Sequence, residues 1–240
     1  MGIQSLEIKW GIMMIRIQIK KNLSLLKNII IERSRLFLSR FRKRKVKRNF
    51  CIISNNCWGG KVYQRFGKQY NSPTIGLYFF ADDYIRFLKN IRKYIEIPVK
   101  IIKTEESKHY DCLVKNGQRS VVVGVIDDVE IIFLHYKTPE EAINKWERRK
   151  KRIDWDNLIV KFSKMNECTE KHIEEFDSLN FNLKFVFVND KHLSIKNAVY
   201  INGYDNRKEI TDDTTHYSSY IDLLKMINER TIISKNRVKL

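Results

Sequence analysis

The chain has 240 residues, 43% apolar and 12% aromatic, enough to bury a full core in one domain or two small ones, which excludes a disordered chain. Its formal net charge of +18 is unevenly placed, because residues 1 to 50 carry 14 Lys and Arg against only Glu7 and Glu32. The body is therefore a mildly basic globular protein, and the N-terminal arm is a separate electrostatic object.

The arm, residues 1–48, reads as an amphipathic helix followed by a basic tail. Leu23, Leu26, Ile30, Phe37 and Phe41 recur at spacings of mostly three or four, with Lys20, Lys27, Arg35 and Arg42 on other sides. In the stretch from Arg40 to Arg48, seven of nine residues are cationic. Such a segment suits the interface of an anionic membrane, or is a solvated helix with a basic tail. Aromatic residues for base stacking are sparse, so nucleic acid is disfavoured. The run from Ile12 to Ile19 is interrupted by Arg16 and Gln18 and no small-residue cleavage site follows, so a secretory signal is not expected. No uncharged apolar run is long enough to span a bilayer. The tandem Met13-Met14 allows a second translation start.

Residues 49–240 alternate strand and helix signals. Phe50–Ile53 reads as a strand, followed by the turn Ser54-Asn55-Asn56-Cys57-Trp58-Gly59-Gly60 and a helix through Phe66. Thr74–Phe80 is the next predicted strand, and a helix begins at Asp82 or Asp83. Val99–Ile102, Ser120–Val125 and Val129–Leu134 read as strands, the last leading through His135 and a capped turn into a basic helix. Leu158–Phe162, a helix over Thr169–Leu179, Phe185–Val188, Val199–Ile201 and a closing helix over Tyr220–Ile227 complete the order. The alternation predicts an α/β fold, a three-layer Rossmann-like arrangement with a mixed, mostly parallel sheet and helices on both faces. Cys51, Cys57, Cys112 and Cys168 lack any Cys-x-x-Cys or zinc spacing, which predicts free, mostly buried thiols in a reducing, cytoplasmic setting.

Three constellations carry chemistry. In Ser54–Gly60 the glycines permit close approach of a ligand, and the following helix N-terminus offers free amides to phosphate. Asn55, Asn56, Trp58, Gly59 and Gly60 are thus candidate ligand contacts, although the dinucleotide and P-loop spacings are missing and a self-satisfied turn fits equally. Asp128 and Glu130 have the spacing of a carboxylate pair on a divalent ion, but Asp127-Asp128 also makes a plain hairpin turn. Asp128 is retained as a candidate base and no metal is assigned. His135 lies at a strand end, where α/β proteins gather ligands, and is a candidate general base or a structural imidazole. Thr138-Pro139-Glu140-Glu141 are capping chemistry. Beyond them Arg148 and Arg149 are candidate phosphate ligands, or part of a solvated basic face. Asp212, Asp213 and His216 form a further polar loop. The absence of a G-x-S-x-G elbow disfavours a serine hydrolase.

Three strings resemble one bacterial family: Phe50–Gly60, Tyr70–Phe79, and Phe133-Leu134-His135-Tyr136 with Glu140-Glu141-Ala142 and Lys145-Trp146-Glu147-Arg148-Arg149. The chain is similar, over residues 49–202, to the domain-of-unknown-function family numbered 1919, whose members are associated with exopolysaccharide and capsule biosynthesis. The resemblance implies an α/β fold and a glycan setting, and supplies no catalytic residues and no cofactor. Together with the residues, it leads to the expectation of a cytoplasmic transferase, glycosyl or acyl, resting on the inner face of the membrane. Its partners would be an activated sugar or acyl donor and a glycan acceptor, with residues 1–48 on the anionic surface. A non-catalytic module binding glycan, phospholipid or a protein partner is the alternative.

Overall fold

A computed structural model describes the backbone of residues 2–193, 195–215 and 217–234, and side chains from residue 17 onward except those of residues 28, 29 and 35 within that range. The chain opens with a single long helix, α1 (Gly2–Lys45). Its apolar residues do not form one stripe: Leu25, Ile31, Leu36 and Leu38 are exposed as well as Leu23, Leu26, Ile30, Phe37 and Phe41. Over the described side chains, α1 exposes apolar and cationic residues together. Met13, Met14 and Arg35 lie outside the residues whose side chains are described. Among the described residues no helix is long and apolar enough to cross a membrane.

The body contains a four-stranded parallel sheet in the order β1 (Cys51–Ser54), β5 (Leu158–Ser163), β6 (Lys184–Val188), β7 (Ala198–Tyr200). These strands are buried on both sides, which explains their near-continuous apolar sequences. Alternate residues serve opposite faces. Cys51, Ile53, Val160, Phe162, Val186 and Val188 meet α3 (Ala81–Lys89) and α7 (Glu170–Ser178). Ile52, Ile159, Phe185 and Phe187 meet α2 (Trp58–Phe66) and α8 (Leu223–Glu229). This is the three-layer α/β arrangement anticipated from the alternation. Two further short helices, α4 (Ile91–Glu96) and α5 (Tyr110–Lys115), flank a second sheet.

That second sheet is separate and antiparallel, in the order β2 (Lys100–Ile102), β3 (Val122–Ile126), β4 (Val129–Phe133). The strand that precedes His135 therefore belongs to a hairpin, closed at Asp127 with φ 57°, rather than to the parallel sheet. His135 thus follows a strand of the antiparallel sheet, outside the parallel sheet beyond whose strand ends ligands gather, and the hairpin reading of Asp127-Asp128 holds.

The strand expected at Thr74–Phe80 is also absent, apart from one bridge between Tyr78 and Ile132. Gly76, at φ 81°, bends the segment out of extended geometry. What forms instead is a strap between the two sheets. Phe79 N donates to Asn55 O (3.0 Å), Tyr78 and Ile132 exchange backbone bonds at 2.9 Å, and His135 N donates to Gly76 O (2.9 Å). The strap carries the last turn of the parallel sheet to the end of β4, and α6 (Pro139–Lys150) covers it.

Candidate functional site

Neighbouring strands β1 and β5 send the chain to opposite faces, β1 into α2 and β5 toward α7. Such a switch point opens a crevice beyond the carboxyl ends of the strands. Here the crevice is filled by the protein's own polar side chains. Lys161 on β5 is wholly buried on the α2 face, and its ammonium donates to Asn56 Oδ1 (2.9 Å) and to the carboxylate of Asp213, also wholly buried. Asp213 further accepts from Asn56 Nδ2 (2.9 Å) and from the Ser163 hydroxyl, and Asn55 Nδ2 donates to Ser163 O (3.3 Å). The rings of Trp58 and Phe187 lie 5.9 and 5.5 Å from Lys161 Nζ. Burial holds the Lys161 ammonium below its ordinary pKa against the opposing pull of Asp213. Hydrogen bonding to Asp213 and two Asn oxygens keeps so costly a charge in place.

Beside this cluster lies an open cleft of about 350 Å³ between α2, the strap and α6. Cys57 joins the two, lining the cleft while its thiol feels both Asp213 and Lys161; burial pushes it up to about 11. The first turn of α2 contains no acidic residue and presents Gly60 and Lys61 to the cleft. Across from it stand His135, Tyr136, Lys145 and Arg149. Arg149 is buried with no carboxylate within salt-bridge distance among the described residues; it donates to Ile75 O (2.9 Å) and Tyr136 Oη (2.6 Å) and lies over the Tyr70 ring at 5.1 Å. Tyr136 in turn donates to Ile75 O. Lys145 bonds Glu141 at 2.5 Å, and Lys61 has no carboxylate within that distance among the described residues. Among the described residues no lining residue is acidic. A helix N-terminus, two ammonium groups and a guanidinium around an acid-free cleft make a field suited to an anion.

The sequence profile of the domain-of-unknown-function family DUF1919 matches residues 29–234. The chain belongs to the DUF1919 family. The match extends beyond the stretch of resemblance, 49–202, and includes the body-proximal part of α1. An uncharacterized protein of Haemophilus influenzae is 32% identical over 188 residues, covering 78% of this chain and 85% of its own.

The structure brings some of the expected site residues of this DUF1919 chain together and separates others. Gly60, His135 and Arg149 line one cleft, with the His135 ring exposed at its rim. Asn55 and Asn56 belong to the buried cluster behind it, so their amides hold Lys161, Asp213 and Ser163. Trp58 is a buried anchor against Phe185 and Phe187, and Gly59 packs tightly, a Cβ there lying 3.1 Å from Ile52 and 3.3 Å from Ile75. Arg148 is exposed and does not line the cleft. Asp128 lies elsewhere, bonded to Arg86 (2.8 Å) and Tyr94 (2.7 Å), while Glu130 is buried on Ser107 (2.5 Å) and Lys108 N (3.0 Å). The two carboxylates are therefore engaged with different partners. Asp212 caps its own loop through Thr214 N (2.7 Å), and His216 lies outside the described residues. Sequence reasoning missed Lys161, whose signal was a lysine inside the apolar strand Leu158–Phe162, as well as Tyr136, Lys61 and Gly76.

Proposed function

We propose that this DUF1919 protein is a group transferase of surface-polysaccharide assembly, glycosyl or acyl, that seats the phosphates of an activated donor in the cleft between α2 and α6. The observation that carries the reading is the convergence of Lys61, Lys145, Arg149 and the acid-free first turn of α2 on a cleft with no carboxylate in its lining. Phosphate oxygens would be met by the α2 end, by Lys61 and by Arg149, with Lys145 exchanging Glu141 for the phosphate. His135, exposed at the rim, is placed to take the proton of an acceptor hydroxyl, whereas Asp128 lies outside the cleft. The glycan setting comes from the family resemblance.

The place of work in this reading is the inner face of the membrane, with α1 as the contact. Its exposed Leu23, Leu26, Ile30, Phe37 and Phe41, interleaved with Lys and Arg, support that placement. The same observation favours, as a second reading, a module that binds phospholipid without turnover. Thermal-shift screening of nucleotide sugars and acyl donors, with polymer analysis of cells carrying His135→Ala, separates the two. Stabilisation by one donor class and loss of polymer support the transferase. Stabilisation by none, with unchanged polymer, removes it.

A further inference from the structure

Where α1 leaves the body it runs beside α2, and the two enclose a groove of about 760 Å³. The approach is close because Gly67, at φ 56°, ends α2 without a side chain: a Cβ there would lie 3.2 Å from Ser39 Oγ on α1. Arg42 reaches into the groove from α1, and Lys61 and Arg65 from α2. Among the described residues Glu32 is the sole carboxylate of the lining, and neither guanidinium has a carboxylate within salt-bridge distance. The Tyr217 hydroxyl donates to Lys61 O (3.1 Å), and Arg42 and Arg65 repel each other. Burial, then that like charge, lower the Arg42 guanidinium from its ordinary pKa. Two guanidinium groups lining one groove, neither with a carboxylate partner among the described residues, are donors that phosphate oxygens satisfy.

We infer that this groove is a binding site for the phosphate head group of a membrane lipid. The charge of the groove complements a phosphate, and the position selects a lipid as its carrier. Leu36 lines the groove, and the exposed apolar residues of α1 lead directly away from it. A lipid whose phosphate sits between Arg42 and Arg65 can lay its chain along that apolar surface. Lys61 and Gln64 line both the groove and the cleft between α2 and α6, so the lipid phosphate would be held beside the proposed donor site.

The inference rests on the membrane reading of α1, and vesicle binding by the full-length protein tests both. Phosphatidylcholine vesicles are compared with vesicles carrying a minority of phosphatidic acid, and with phosphatidylserine vesicles of matched charge. The protein is expected to prefer phosphatidic acid. Arg42→Gln with Arg65→Gln should weaken that binding about tenfold or more. Lys20→Gln with Lys27→Gln, an equal charge loss on α1 outside the groove, should weaken it less. Arg42→Lys with Arg65→Lys, which retains charge and loses the planar fork, should fall between the wild type and the Gln pair. Equal losses from the two Gln pairs would overturn the groove and leave the membrane reading standing. Binding to no vesicle would overturn both. Displacement by inorganic phosphate as effective as by phosphatidic acid, or by a short DNA duplex at physiological salt, would assign the groove to that ligand and overturn the lipid.

Discussion

Lys161 of β5 and Asp213 of the loop before α8 form an ion pair in which both side chains are wholly buried. The pair ties the centre of the parallel sheet to a loop 52 residues further along the chain, at the crevice where a ligand would otherwise enter. Asn56 binds both partners and belongs to the turn that leads into α2. The ion pair therefore fixes the helix N-terminus that faces the cleft.

Removing one member leaves the other charged and buried, so Lys161→Met should cost about 3–5 kcal/mol. Adding Asp213→Asn neutralises the stranded carboxylate and retains an acceptor for Ser163 and Asn56. Urea unfolding should therefore show the double variant more stable than Lys161→Met alone. If the two substitutions simply add, the pair is not coupled as described.

Gly76 shapes the cleft through its backbone. At φ 81°, with a would-be Cβ 3.1 Å from the Tyr136 ring, Gly76→Ala combines backbone strain with a tight contact against the residue that supports Arg149. Gly117, at φ 73° with nothing within 4 Å, isolates the backbone part. Denaturant midpoints should give about 1–2 kcal/mol for Gly117→Ala. Gly76→Ala should exceed it, and equal values would mean that Tyr136 moves aside freely.

Two aspartates near the hairpin should behave differently. Asp83, wholly buried on α3, accepts from Lys108 (2.5 Å), His109 (2.6 Å) and Glu130 N (3.1 Å). Asp128 is half exposed in its pair with Arg86. Thermal unfolding should show a loss of about 3 kcal/mol for Asp83→Asn and under about 1 kcal/mol for Asp128→Asn. Donor binding should be unchanged in Asp128→Asn, because that residue does not line the cleft.

Burial pushes the thiols of Cys51 and Cys168 up to about 12 and that of Cys57 to about 11, from 9.0. The folded pKa values are raised, so the unfolded chain releases these protons first. The resulting stability is complete below pH 9 and is lost as the pH rises through 11 to 12. The melting temperature should fall across that window, and less steeply in Cys57→Ala. Cys57 should also alkylate slowly at neutral pH; a fast neutral reaction would show a thiolate that this environment does not support.

The layers of the fold were legible because both faces of β1, β5 and β6 are buried, which leaves continuous apolar strings bounded by helix signals. The position of His135 was less so. Periodicity predicts that Val129–Leu134 is a strand but not which sheet it joins, and the partner choice depends on Asp127 adopting positive φ in a two-residue hairpin. Thr74–Phe80 misled for a related reason: its residues are strand formers by type, yet the turn at Gly76 and contacts to both sheets make it a strap. The cationic residues of α6 were visible as a group, whereas the separation of Arg149, buried on Ile75 and Tyr136, from exposed Arg148 depends on helix phase against a segment distant in sequence. Lys161 and Asp213 could be matched only by folding, since each alone reads as an ordinary charged residue.

The most direct test of the anion-binding cleft is a crystal structure of the protein soaked with a nucleoside diphosphate. The account predicts phosphate density between the Gly60–Lys61 end of α2 and the side chains of Lys145 and Arg149, with His135 at the open side. Density at a site that excludes these residues, or an empty cleft at saturating ligand, would contradict it.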